Sequence, residues 1–104
     1  VVTSDNPRSE DPQAILDDIA SGMDGVKASI VEPNRASAIR AAIRGAAAGD
    51  VVLIAGKGHE RTQEIAGVKH AFYDPDEALC VEPHPESARA SVTPIAPVSR
   101  RRIA

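Results

Sequence analysis

Apolar residues in this chain fall into short blocks, separated by polar, glycine-bearing or proline-bearing breaks. The opening Val1-Val2-Thr3 reads as the end of a buried strand. Asp11-Pro12 then opens a helix: the carboxylate can accept from the free amides of a first turn, and proline suits the first helical position. Ile15, Leu16, Ile19 and Met23 follow at helical spacing, and Gly25 supplies a stop. VKASIV, at 26–31, predicts a second strand. Asn34 caps a second helix, whose Ile39, Ala42, Ile43 and Ala46 share one face while Arg40 and Arg44 share the other. Gly49-Asp50 ends it.

VVLIA, at 51–55, is the strongest strand signal: an unbroken apolar run between Asp50 and Gly56. Continuous rather than alternating apolarity implies burial on both faces, as in a parallel sheet. Residues 62–72 predict a hairpin turning at Ala66-Gly67, and Asp74-Pro75 opens a last helix over 74–79. The order is strand, helix, strand, helix, strand, then hairpin and helix. It predicts an α/β fold, a doubly wound, mostly parallel sheet with flanking helices. Three parallel strands make a thin sheet, and the first has no lead-in, so part of a larger domain is expected.

Length and composition narrow this picture. A chain of 104 residues forms at most one small domain, and its 42% apolar content comes mostly from Ala, Val and Ile. One Phe, one Tyr and no Trp leave few large side chains for a core. The net charge of −3 argues against general nucleic-acid binding. Charge is uneven: residues 1–80 hold 13 acids and 8 bases, and residues 81–104 hold 2 acids and 4 bases. The second stretch also carries Pro83, Pro85, Pro94 and Pro97 and ends near Arg100-Arg101-Arg102. The expectation is a partial domain over 1–80 and a disordered Pro/Arg-rich tail over 81–104. Cys80 has no partner for an internal disulfide, and no apolar run reaches the ~18 residues of a membrane span. The start of the chain lacks a signal-peptide layout, so a cytoplasmic setting without a membrane partner is expected.

The candidate chemistry lies in two loops. Ligands of open parallel sheets bind at the carboxyl ends of the strands. SDNPRSE follows the first strand and GKGHE follows the predicted third, which brings Asp5, Asn6, Arg8, Lys57, His59 and Glu60 to one edge. That set suits a zwitterion. Arg8 can grip a carboxylate with two parallel hydrogen bonds, and Glu60 or Asp5 can accept from an ammonium group. Pro7 restricts itself and Asn6, and Gly56 and Gly58 let backbone approach a ligand closely. A P-loop is excluded by Val51 five positions before Gly56 and by Gly58 after Lys57. His59 lacks a Cys or Asp at metal spacing, and no Ser sits on a strand-to-helix elbow. Plainer roles stand beside these. Asp5 and Asn6 can order a turn, Ser9 or Asp11 can cap a helix, and His59, His70 and His84 fit ordinary surface histidines.

TSDNPRSEDP together with GDVVLIAGKGHE closely resembles the C-terminal domain of the Mur ligases, nearest the members that add meso-2,6-diaminopimelate. The resemblance runs from Val1 to about Leu79. It implies a Rossmann-like domain of enzymes that use ATP and Mg2+ to activate a carboxylate of a UDP-sugar peptide for attack by an incoming amine. Carried over by position, Asp5, Asn6, Pro7 and Arg8 form the meso-diaminopimelate loop, with Arg8 on the distal carboxylate. Gly56 and Glu60 meet the ammonium end, while Lys57, Gly58 and His59 shape the loop or its field. Lysine-adding members commonly lack the arginine, so Arg8 favours diaminopimelate. The family's UDP-sugar domain, its ATPase domain and a further diaminopimelate-binding arginine have no counterpart in this sequence. After Leu79 the sequence also departs from the family's closing helix.

The resemblance therefore implies the amino-acid-recognition fragment of a ligase adding meso-diaminopimelate to UDP-N-acetylmuramoyl-L-Ala-D-Glu in peptidoglycan biosynthesis. ATP and Mg2+ would serve the full-length enzyme, and this fragment would hold no cofactor, metal or catalytic residue and be inactive alone. Two alternatives stand from other directions. One is a non-catalytic module that binds a small anion or amino acid, or an acidic partner through its basic tail. The other is a relative that adds lysine, or a folate-type glutamate ligase, against which Arg8 and the complete GKGHE argue.

Overall fold

Two helix caps written in the sequence organise the first half of the chain. In the computed structural model, which describes residues 1–26 and 30–81, Asp11 Oδ1 accepts from the Gln13 N–H at 3.0 Å. Pro12 takes the first position of α1 (Pro12–Ser21). Asn34 does the same for α2 (Arg35–Gly45), accepting from the Ser37 N–H at 3.0 Å. Each cap satisfies an amide that a first turn leaves without a partner, a contribution of about 1 kcal/mol. Both helices end earlier than predicted. The Gly22 N–H folds back onto the carbonyls of Asp18 and Ile19, so α1 stops short of Gly25. Asp50 closes the turn after α2 instead of the helix itself, accepting from the Ala47 N–H at 2.8 Å.

β1 (Val2–Thr3) and β2 (Val31–Glu32) pair in parallel, with Val2 opposite Val31 and Thr3 opposite Glu32. The second strand thus begins where VKASIV was predicted to end, and residues 27–29 of that run lie outside the described residues. α1 packs on β1, while α2 packs on both strands and on α3 (Asp74–Leu79). Leu16, Ala38, Ile39, Ala78 and Val81 are buried. Ala38 on α2 and Ala78 on α3 are small, which lets the two helices come close.

β3 (Thr62–Ile65) and β4 (Val68–Ala71) form a separate antiparallel hairpin, in register from Thr62 opposite Ala71 to Ile65 opposite Val68. It turns at Ala66 and Gly67 as predicted, with φ of 51° and 76°. Positive φ at both positions is what a two-residue turn of type I′ needs. Gly67 adopts it freely, and Ala66 at a cost of about 1 kcal/mol.

The third strand of the predicted parallel sheet does not form. Among the described residues, 51–55 join no ladder, and most of them are open to solvent, with Val51 92% exposed and Leu53 69%. A run that is apolar on every side needs a neighbour at each edge and a layer over each face. β1 and β2, two residues each, do not supply that frame. The α/β class stands: a parallel pair with helices packed on it, and an antiparallel hairpin added. The tail expected from residue 81 onward begins at buried Val81, and residues 82–104 lie outside the described residues. Among the described residues no helix is long and apolar enough to cross a membrane.

Candidate functional site

A single side chain, Asn6, joins the two loops that the sequence singles out. Its Nδ2 donates to Glu60 Oε2 at 2.8 Å, and its Oδ1 accepts from the Glu64 N–H at 2.6 Å. A backbone N–H can only donate and a carboxylate can only accept, so the partners fix which way the amide points. The loop after β1 is thereby tied to GKGHE and to β3 at once.

Arg8 follows with φ of 54°, in the left-handed region that side chains larger than glycine rarely adopt. Its main chain is held on both sides. The Arg8 N–H donates to the Glu64 carbonyl at 2.8 Å, and the Arg8 carbonyl accepts from the Gly67 N–H at 3.2 Å. Buried Pro7 fixes the backbone just before it. The guanidinium itself is exposed, and among the described residues it joins no ion pair. A conformation costing about 1 kcal/mol is thus maintained by bonds that leave the charged group free.

GKGHE divides its residues differently. Lys57 is only 3% exposed. Its Nζ donates to the Thr62 carbonyl, stands 3.8 Å from Glu60 Oε2 and lies 5.9 Å from the centre of the Phe72 ring. It is an internal prop. Gly56 has φ of 113°, and a Cβ there would lie 3.2 Å from Asp5 Oδ2 and 3.8 Å from Arg35 Nη1. Only glycine allows the two loops to approach so closely at their bases.

Asn6, Arg8, His59 and Glu60 from the loops meet Arg61, Thr62, Glu64 and Lys69 around a cavity of about 460 Å³. The other predicted residues, Asp5, Pro7, Gly56, Lys57 and Gly58, do not line it. Asp5 and Gly56 border a second cavity of about 340 Å³, between β1, α2 and residues 52–56. Glu60 is already shared between Asn6 and Lys57. Arg8, Arg61 and Lys69 have no ion-pair partner among the described residues, so the first cavity sets cationic groups for a carboxylate beside the carboxylates of Glu60 and Glu64.

Sequence reasoning missed what holds the loops at their roots. Arg35 is 3% exposed and grips Asp74 with both arms, Nε to Oδ1 at 2.8 Å and Nη2 to Oδ2 at 2.6 Å. Its Nη1 donates to the Ser4 carbonyl at 3.1 Å and its Nη2 to the Ala55 carbonyl at 3.0 Å. Ser4 directly precedes the Asp5 loop and Ala55 directly precedes Gly56. A sequence signal existed: a cation at the first position of a helix faces the positive end of the helix dipole. Gln63 was missed too. It is a buried amide in an otherwise polar strand, and its Nε2 donates to the Asp5 carbonyl at 2.9 Å.

Known proteins match this chain in sequence and in fold. The family described as Mur ligase, glutamate ligase domain, matches residues 1–58. The UDP-N-acetylmuramoyl-L-alanyl-D-glutamate--2,6-diaminopimelate ligase of Chromobacterium violaceum is 61% identical over 74 residues, which is 71% of this chain and 15% of that protein. The protein of the same name from Ralstonia nicotianae is 60% identical over 74 residues, 71% of this chain and 14% of that one. A solved structure of such a ligase superposes with a TM-score of 0.61 at 46% identity, covering 74% of this chain and 16% of the other. The chain thus spans about 15% of the length of the curated relatives it matches. By the family match over more than half its length, the chain belongs to the Mur ligase family, through the glutamate ligase domain.

Proposed function

We propose that this chain is the amino-acid-recognition part of a cytoplasmic, ATP-dependent ligase of peptidoglycan biosynthesis. That ligase joins meso-2,6-diaminopimelate to UDP-N-acetylmuramoyl-L-Ala-D-Glu. The observation that carries the reading is the 2.8 Å bond from Asn6 to Glu60, which closes both loops on one cavity. Diaminopimelate has two carboxylates and two ammonium groups. Arg8 offers a planar fork for a carboxylate, and Glu60 keeps lone pairs for an ammonium beyond those used by Asn6. Asp5, Pro7 and Gly56 act from behind, setting where Asn6, Arg8 and Glu60 stand. Buried Lys57 holds Glu60 and the hairpin in the same relation, and Gly58 and His59 complete the rim.

We assign ATP and Mg2+ to the full-length ligase. Among the described residues no three His, Cys, Asp or Glu side chains converge as a metal site, and GKGHE lacks the P-loop pattern. In this reading those groups, and the UDP-sugar dipeptide, are handled by the rest of the ligase. The chain's own contribution is to bind the incoming amino acid and orient it.

A chimera tests this directly. Residues 1–79 of this chain replace the matching stretch of the Chromobacterium violaceum ligase, and steady-state kinetics are measured with diaminopimelate and with lysine. The expected chimera uses diaminopimelate. Arg8→Ala in it should raise KM for diaminopimelate about 100-fold, the scale of a lost bidentate charged contact, while KM for ATP stays within about twofold. A folded chimera without diaminopimelate activity, or an Arg8→Ala variant with unchanged KM, would remove the assignment.

A further inference from the structure

The segments that line the first cavity leave from, or return to, one buried side chain that does not line it. Asn6 and Arg8 follow Ser4, and every other lining residue lies between Ala55 and Asp74. Arg35 bonds to all three of these points. Its Nη1 reaches the Ser4 carbonyl and its Nη2 the Ala55 carbonyl, while Nε and Nη2 together hold the Asp74 carboxylate. We propose that Arg35 is a positioning residue for amino-acid capture, fixing the spacing at which Asn6, Arg8 and Glu60 act together. This rests on the reading of the cavity as an amino-acid site.

In a parallel sheet, strand pairing sets the distance between loops at the carboxyl ends. Among the described residues 51–55 join no ladder, so the bond from Arg35 to the Ala55 carbonyl takes that place. The grip on Asp74 closes the far end, and residues 56–73 become an excursion whose two ends meet on one guanidinium. Nearer the cavity the loops are joined by the exposed bond from Asn6 to Glu60. Water competes for an exposed bond and far less for a buried one, so the roots dominate the spacing. A guanidinium directs five N–H groups in fixed directions, and four hydrogen bonds use them here. Lysine, with three donors on one nitrogen, cannot span both carbonyls and both carboxylate oxygens.

Loosened roots would let the loops sample spacings at which a guest is not met from both sides. Apparent affinity then falls by the fraction of time the loops are correctly placed, and a saturating guest draws them back. KM rises while kcat holds. A mere loss of folded protein does the reverse, lowering apparent kcat with KM unchanged.

The test compares two variants. Arg35→Met with Asp74→Leu replaces the pair by apolar groups of similar volume, which need no partner and keep the fold. Arg35→Lys keeps the charge beside Asp74 and loses the span. In the chimera, the double variant should raise KM for diaminopimelate about tenfold, with kcat and KM for ATP within about twofold. Arg35→Lys should fall between it and native Arg35. In the 104-residue chain, hydrogen exchange reads the spacing without a ligand. The amides of Arg8, Glu64 and Gly67 bond between the loop and the hairpin, and in the double variant they should exchange about tenfold faster. The Phe72 amide, bonded to Arg61 within the excursion, should keep its protection. Unchanged exchange at the three amides, or a lowered kcat with unchanged KM, would overturn the positioning role and leave the amino-acid site standing. If the chimera with native Arg35 uses no diaminopimelate, the site reading falls and the positioning role with it.

Discussion

Asn6 commits both ends of its amide to protein partners, although it lines the cavity. That makes it the residue on which the geometry of the site turns. Replacing it with aspartate separates its two bonds. The introduced carboxylate can still accept from the Glu64 N–H, but it has no donor for Glu60 and stands where two like charges meet. Asn6→Asp should therefore cost about 1–3 kcal/mol of stability in urea unfolding and loosen diaminopimelate binding. Adding Glu60→Gln restores a donor for the introduced carboxylate and removes the repulsion. Stability should then return. Ligand affinity should stay low, because the group meant for the ammonium is gone. If affinity returned together with stability, Glu60 would be a prop for the loop and no ligand contact.

At the scale of elements, the buried pair of Arg35 and Asp74 joins the first turns of α2 and α3 and reaches the roots of both loops. Breaking it from one side leaves a charge in the core without its partner. Asp74→Ala should cost about 3–5 kcal/mol, a large part of the stability of a small domain. The double variant Arg35→Met, Asp74→Leu should recover much of that loss in the same urea titration, since apolar groups of similar volume need no partner. Two single losses that simply add in the double variant would show that the two side chains are not coupled. Such a pair spans 39 positions, which is why reading along the chain does not find it. What the sequence makes legible is local: the caps at Asp11 and Asn34, and the turn at Ala66-Gly67, each depend on neighbours within three or four residues. The meeting of the two loops was half legible for the same reason. The two motifs single out Asn6 and Glu60, but no strand over 51–55 places the second loop, and the hairpin that holds them, through Gln63 and the Glu64 main chain, is fixed by contacts between distant segments.

Across the whole molecule, residues 51–55 are where local signal and tertiary structure disagree. Among the described residues, five consecutive apolar residues with strong strand propensity lie unpaired, Val51 and Leu53 largely in water, and only the Ala55 carbonyl is fastened, by Arg35. An exposed apolar segment with unpaired main-chain groups is a template for pairing with another chain. The chain should therefore self-associate as its concentration rises, visible as a growing mass in light scattering. Leu53→Lys places a charge in the middle of the run and should suppress that growth. Because Leu53 is 69% exposed, its replacement should move the unfolding free energy by no more than about 0.5 kcal/mol. A loss above about 1 kcal/mol would mean that Leu53 packs against β1 and α2 across the second cavity, and that the run contributes to the core. Reduced association with unchanged stability would mean that the run lies outside the core, and that the fold is held by Arg35, the small helix contacts and the hairpin.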